Sequence, residues 1–139
     1  LLRSVRTLQV RVHQQCQSAL IVAQWLETQI NNTETRCRVT RVWYPALPSS
    51  PYYDLCQRQM GGRGSGMLSV ELDTASNAEQ FPKHLKLITV AVSLGGYESL
   101  IDYRYAWDKT VSPLLLRISV GLENPQDLIH DIRQALLKL

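Results

Sequence analysis

The chain has 139 residues, 45% apolar and 19% charged, with fifteen Lys and Arg against twelve Asp and Glu for a net charge of +3. That length suits one domain and that balance is globular, not disordered. The basic residues are scattered (Arg3, Arg6 and Arg11; Arg36, Arg38 and Arg41; Arg58 and Arg63) with no run of five or six, which excludes a nucleic-acid-binding tract. The longest apolar run falls far short of the roughly 18 residues a membrane span needs.

Val5, Leu8, Val12, Cys16, Ala19, Ala23, Leu26 and Ile30 recur at steps of three and four. This spacing predicts one long amphipathic helix, ended by Asn31-Asn32, since Asn tolerates a left-handed cap. Residues 39–44 are β-branched and aromatic and read as a strand. Pro45, Pro48 and Pro51 make the next stretch an extended loop. Ser50-Pro51 reads as a cap and first-turn proline for a short helix to about Gln59, which Gly61-Gly62 ends.

Met67 to Asp73 alternates apolar and polar residues, the period of a half-buried strand. Ser76-x-x-Glu79 has the form of a capping box, and Pro82 limits or bends the helix that follows. Leu87 to Val92 reads as a strand, interrupted by Ser93-Leu94-Gly95-Gly96. Glu98 to Tyr105 reads as a weaker strand and Leu114 to Val120 as a strong one. Asn124-Pro125-x-Asp127 opens a last helix with its stripe at Leu128, Ile132, Ala135, Leu136 and Leu139. The expected fold is α/β: a small mixed or antiparallel sheet, formed by residues near 67–73, 87–92 and 114–120, with the last helix packed on it. The long first helix could join it to another domain.

Cys16, Cys37 and Cys56 have no CxxC spacing and no His at metal-ligand spacing. No metal site is expected, and free thiols point to a reducing, intracellular compartment. Gly61-Gly-Arg-Gly-Ser-Gly66 invites a phosphate-loop reading, but a helix precedes it and a strand follows, the reverse of that motif, so a glycine turn is the better reading. Ser93 has no base in any diagnostic relation to it among His13, His84 and His130, so it is not read as a nucleophile. Arg117 is the most informative charge. It lies in Leu-Leu-Leu-Arg-Ile-Ser-Val, and alternation puts Leu115, Arg117 and Ser119 on one face and Leu116, Ile118 and Val120 on the other. An Arg in such a strand needs a partner. Its planar fork fits a ligand carboxylate, and an internal acid such as Glu98 or Glu123 fits equally well.

Ala91-Val-Ser-Leu-Gly-Gly-Tyr-Glu-Ser-Leu-Ile101, Leu116-Arg-Ile-Ser-Val-Gly-Leu-Glu123 and Asp127-Leu-Ile-x-Asp131 resemble the carboxy-terminal signature of the pyridoxal-phosphate (PLP) enzymes of cysteine and methionine metabolism. That transsulfuration group includes the cystathionine gamma-synthases, cystathionine lyases and methionine gamma-lyases. Val42-Trp-Tyr-Pro-x-Leu-Pro-Ser49, Gln59-Met-Gly and Gly66-Met-Leu-Ser-x-Glu71 fit in the family's order.

The resemblance implies the carboxy-terminal small domain of the aspartate-aminotransferase-like fold type I enzymes over 1–139. Residues 1–31 would be the helix linking it to an absent amino-terminal PLP-binding domain. It implies that Arg117 binds the substrate α-carboxylate, with Ser93, Val92 and Leu94 beside it. It further implies a small amino-acid substrate (cystathionine, methionine or an O-acylhomoserine), a homotetramer or dimer, and a cytoplasmic enzyme.

The Schiff-base lysine and phosphate site of the family lie upstream, and none of Lys83, Lys86, Lys109 and Lys138 sits in the lysine motif. This chain is therefore expected to be a truncation and inactive alone. A stand-alone amino-acid-binding or protein-interaction domain is the alternative. Two departures stand out: Val92 where many members have Glu, and Tyr103-Arg-Tyr-Ala-Trp-Asp-Lys109 in place of a frequent Pro-Ala-Ser-Met-Thr-His.

Overall fold

The computed structural model describes residues 2–30 and 32–139. A short helix α1 (Leu2–Val5) is followed by α2 (Leu8–Thr28), β1 (Val39–Trp43), α3 (Tyr53–Met60), β2 (Met67–Leu72) and α4 (Ala75–Gln80). Then come β3 (Thr89–Val90), β4 (Leu100–Asp102), β5 (Leu115–Ser119) and α5 (Pro125–Leu136). Short 3-10 turns occupy Phe81–His84 and Arg104–Ala106.

The strands form one sheet in the order β1-β2-β5-β4-β3. Only β3 and β4 run parallel, and the other pairs are antiparallel. The small mixed sheet expected from the sequence is present, with β5 at its centre. Period-2 alternation is clear in β2, where Leu68, Val70 and Leu72 are buried and Met67, Ser69 and Glu71 half-buried. Leu116 and Ile118 of β5 pair with Val70 and Leu68 and join the same buried layer.

Helix α2 packs on β1, β2 and α5. Ala19, Val22, Ala23 and Leu26 meet Leu128, Ile132 and Ala135 in one core. Each fully buried Leu or Ile there contributes roughly 1.5–3 kcal/mol relative to exposure. The opposite face of the sheet carries Trp43, Ser69, Leu115, Arg117 and Asp102, as the register requires.

Several local expectations are corrected. The first helix is broken at Arg6-Thr7, where the Arg11 guanidinium takes the Ser4 carbonyl at 2.8 Å and competes with a continuous ladder. Its apolar stripe is buried only from Cys16 onward, because Val5, Leu8 and Val12 lie beyond the edge of the core and are exposed. The helix ends at Thr28 with Gln29 as a right-handed cap. The expected Asn31 cap lies outside the described residues, and Asn32 instead donates from its side chain to Gln29.

Ser50 does not cap α3 directly: Tyr52 is the cap, and the Ser50 hydroxyl accepts from the Tyr52 N–H, building the turn that precedes the helix. The cap of α4 is Thr74, whose hydroxyl accepts from the Asn77 N–H, so Ser76 and Glu79 form no capping box. The strand expected at 87–92 shrinks to two residues. The amides of Lys86, Leu87 and Ile88 are taken by the Asp131 carboxylate at 2.8, 2.8 and 2.9 Å, which leaves them no ladder to join. The strand expected at 98–105 is confined to Leu100–Asp102, since Ser99 is held by Glu123 and the chain turns at Arg104.

Candidate functional site

Arg117 and the 92–97 loop make up the candidate site. The register sets Arg117 between Ser69 of β2 and Asp102 of β4. Its Nη2 donates to the carbonyl of Val92 at 2.7 Å and that of Ser93 at 3.3 Å. It lies 3.7 Å from Asp102 Oδ2, with side-chain exposures of 19% and 4%. Arg117 Nε is buried and makes no hydrogen bond among the described residues. The internal acid expected to be Glu98 or Glu123 is therefore Asp102. Glu123 is occupied elsewhere, accepting from the amide and hydroxyl of Ser99. Asp102 went unread in the sequence. The available signal was an acid ending the buried run Leu100-Ile101, on the strand next to Arg117.

The loop is fixed by its backbone while its side chains face outward. Ser119 Oγ accepts from the Gly95 amide at 3.0 Å, and the buried Gln15 of α2 donates to the Gly96 carbonyl at 2.6 Å. The Leu122 amide donates to the Tyr97 carbonyl at 2.7 Å. Gly95, at φ +71, supplies the left-handed turn. Val92 and Leu94 are 60% and 58% exposed, and Ser93 is exposed beside them. The structure thus gathers Arg117, Val92 and Ser93 through direct hydrogen bonds and carries Leu94 on the same loop. Ser93 enters through its carbonyl.

Below this loop a second network locks the end of β5. Ser99 Oγ accepts from the Gly121 amide and donates to Glu123 Oε2, both at 2.8 Å. A side chain at position 121 would run into the Tyr97 carbonyl and the Glu98 backbone.

The glycine stretch plays a structural part. Gly61, at φ +59, is the left-handed cap of α3, and the Gly62 amide returns to the Cys56 carbonyl. Gly64 packs on Tyr44, where a Cβ would meet the phenol oxygen at 2.6 Å. The Tyr44 hydroxyl donates to the Ser65 carbonyl at 2.8 Å, with the Cys16 and Arg63 carbonyls 3.2 Å away. Burial raises the pKa of that phenol. Burial, and then the charge of Asp73, push the Cys37 thiol up to about 12. Cys16, Cys37 and Cys56 are free and buried, as apolar fillers. No group of three potential metal ligands occurs among the described residues, and no helix there is long and apolar enough to cross a membrane.

The four lysines lie away from the contacts of Arg117. Lys83 Nζ donates to Gln80 and Lys109 Nζ sits over the Tyr105 ring at 4.0 Å. Lys86 leads into β3 on the Asp131 side, and Lys138 follows α5. The site holds a guanidinium with its Nη2 anchored on the loop and a buried Nε left without a hydrogen bond, beside a rim of exposed apolar side chains. That suits a small carboxylate bearing an apolar substituent.

Residues 1–137 match the model of a family described as Cys/Met metabolism PLP-dependent enzyme. Cystathionine gamma-lyase of Mus musculus is 40% identical over 96% of this chain and 35% of its own length. Cystathionine beta-lyase of Coxiella burnetii is 37% identical over 97% of this chain and 36% of its own. Among solved structures, metB from Corynebacterium glutamicum superposes with a TM-score of 0.85 at 34% identity, covering 96% of this chain and 35% of that one. An O-acetylhomoserine sulfhydrylase of Wolinella succinogenes does so with a TM-score of 0.77 at 34% identity, covering 94% and 34%. The chain thus spans about a third of the length of these relatives.

Proposed function

The chain belongs to the Cys/Met metabolism PLP-dependent enzyme family, and from that premise we propose that its residues supply the substrate α-carboxylate site of a carbon–sulfur lyase or γ-replacement transferase. The family's cofactor is pyridoxal phosphate, which acts as an electron sink for carbanions formed on an amino acid. None of the four lysines contacts Arg117 among the described residues, and none is assigned to hold that group. No bond-breaking step is assigned to these residues.

Their work is binding and orientation. The observation that carries the reading is the Arg117 guanidinium, anchored at Nη2 on the Val92 and Ser93 carbonyls with Nε left unpartnered. A carboxylate that reaches the guanidinium would be held by charge-assisted bonds, which fix the amino acid's orientation as well as its affinity. Val92 and Leu94 then flank the substituent. This suits the apolar methylene stretch next to the α-carbon in methionine, cystathionine and an O-acylhomoserine. The reading places residues 1–139 as the small domain of a longer enzyme, with 1–31 the helix joining it to a PLP-binding domain. Such an enzyme would be a homo-oligomer, and the three free cysteines of this chain support a cytoplasmic location.

The test is Arg117→Lys and Arg117→Ala in the full-length protein. The Lys variant keeps charge and loses the fork, so kcat/KM falls about tenfold to a hundredfold. Cofactor absorbance stays unchanged, and the Ala variant is worse. Unchanged kcat/KM with a lowered melting temperature would make Arg117 a structural ion pair.

A further inference from the structure

Arg117 does not own its counter-ion. Asp102 ends β4 on the same face as Arg117, directly opposite it in the register, and is itself buried. A buried carboxylate is costly unless paired. Its Oδ2 lies 3.7 Å from Arg117 Nη2 and 3.5 Å from Arg104 Nη1, and it makes no hydrogen bond among the described residues. Charge-assisted N–H···O bonds close to about 2.7–2.9 Å. Both contacts are longer, so the acid is shared between two cations and closed on neither. Arg104 comes from the 3-10 turn just after β4, in the Tyr103–Lys109 segment that departs from the motifs carried elsewhere in the chain. Its side chain is 38% exposed, twice the value for Arg117.

Two guanidinium charges against one carboxylate leave a net +1 at this spot. One arriving carboxylate makes the balance zero. Arg117 Nη2 is already committed to the Val92 carbonyl at 2.7 Å, which stops Arg117 from swinging fully onto Asp102. Arg104 draws on the same oxygen.

We propose that Arg104 is a specificity-determining residue of the carboxylate site: by competing for Asp102 it leaves Arg117 under-neutralised and ready for an amino-acid carboxylate. The proposal rests on the assignment of Arg117 as that site. It has a sign that a scaffolding role lacks. Removing Arg104 gives Asp102 to Arg117 alone and weakens carboxylate binding. Removing the Asp102 charge strengthens it, because the competing anion is gone.

The experiment is a titration of the ¹⁵N-labelled full-length protein with L-methionine, followed through the Arg117 Nε–H resonance, with melting temperatures taken on each variant. Arg104→Ala raises the dissociation constant about threefold to tenfold, Arg104→Lys restores it to near the parent value, and Asp102→Asn lowers it by a similar factor. In the Asp102→Asn background the effect of Arg104→Ala shrinks. Equal affinity in the parent and Arg104→Ala, or weaker binding in a folded Asp102→Asn protein, overturns the proposal while leaving Arg117 as the carboxylate site. No displacement of the Nε–H resonance in the parent protein removes the Arg117 assignment and the proposal together. Should Asp102→Asn unfold, the exposed Arg104 side chain still decides the matter through its Ala and Lys variants.

Discussion

Gly121→Ala tests how the 92–97 loop is held. A Cβ built on Gly121 lies 2.5 Å from the Glu98 carbonyl carbon and still closer to the Tyr97 carbonyl oxygen. Reaching an ordinary contact of 3.4 Å needs a backbone shift of about 0.9 Å, the difference between the two. The tightest obstacle apart from the backbone, the Glu123 carboxylate, is itself bonded to Ser99 and cannot simply turn away.

That shift pulls at two short bonds, Leu122 N–H to the Tyr97 carbonyl at 2.7 Å and Gly121 N–H to Ser99 Oγ at 2.8 Å. Overpacking costs about 1–3 kcal/mol and each weakened bond about 1 kcal/mol, so the loss is about 3–5 kcal/mol. A thermal melt should drop by about 10 °C or more, at a few degrees per kcal/mol for a chain of this size. Because Tyr97 closes the loop that carries Val92 and Ser93, amino-acid binding at Arg117 should weaken in whatever fraction stays folded. A variant that melts with the parent and binds as the parent does would refute the claim that this contact sets the loop.

Asp131→Asn removes the charge that holds three backbone amides and should cost about 2–4 kcal/mol, read as a lowered urea midpoint. Cys37 gives an alkaline signature. The folded thiol keeps its proton to about 12 against an ordinary value of 9.0, so above pH 9 the unfolded chain binds fewer protons and stability falls as pH rises toward 12. Cys37→Ala should flatten that limb of the stability–pH curve. Tyr44→Phe leaves the carbonyls around the lost hydroxyl short of a donor and should cost about 1–2 kcal/mol by thermal melting. The chain alone should show no borohydride-trappable absorbance near ~420 nm with pyridoxal phosphate. A one-to-one trapped adduct would contradict the reading.

The sheet was legible wherever a strand buries one face. Met67–Leu72 and residues 115–118 follow the alternation of their sequences, and Asn124-Pro125 caps α5 as its residues predict. Legibility failed where tertiary partners compete for backbone groups. No local pattern in 87–92 reveals that Asp131, more than forty positions away, takes the amides of Lys86, Leu87 and Ile88. Thr74 and Ser76 are both competent caps, and only the turn after β2 decides between them. Arg117 stood out as a charge in an apolar strand, and alternation put it on the correct face. Its counter-ion did not, because pairing Asp102 with Arg117 requires the register between β4 and β5. The first helix misled for a different reason: periodicity marks an apolar stripe without saying what covers it, and Val5, Leu8 and Val12 are exposed here.

The central claim is that Arg117 recognises an amino-acid carboxylate. The most direct measurement compares L-methionine with 3-methylthiopropylamine, the same molecule without its carboxylate, as ligands of the ¹⁵N-labelled full-length protein. The account predicts that methionine moves the Arg117 Nε–H resonance saturably, that the amine binds about tenfold to a hundredfold more weakly, and that Arg117→Ala binds the two alike. Equal binding of the two ligands by the parent protein, or a methionine preference that survives Arg117→Ala, would contradict it.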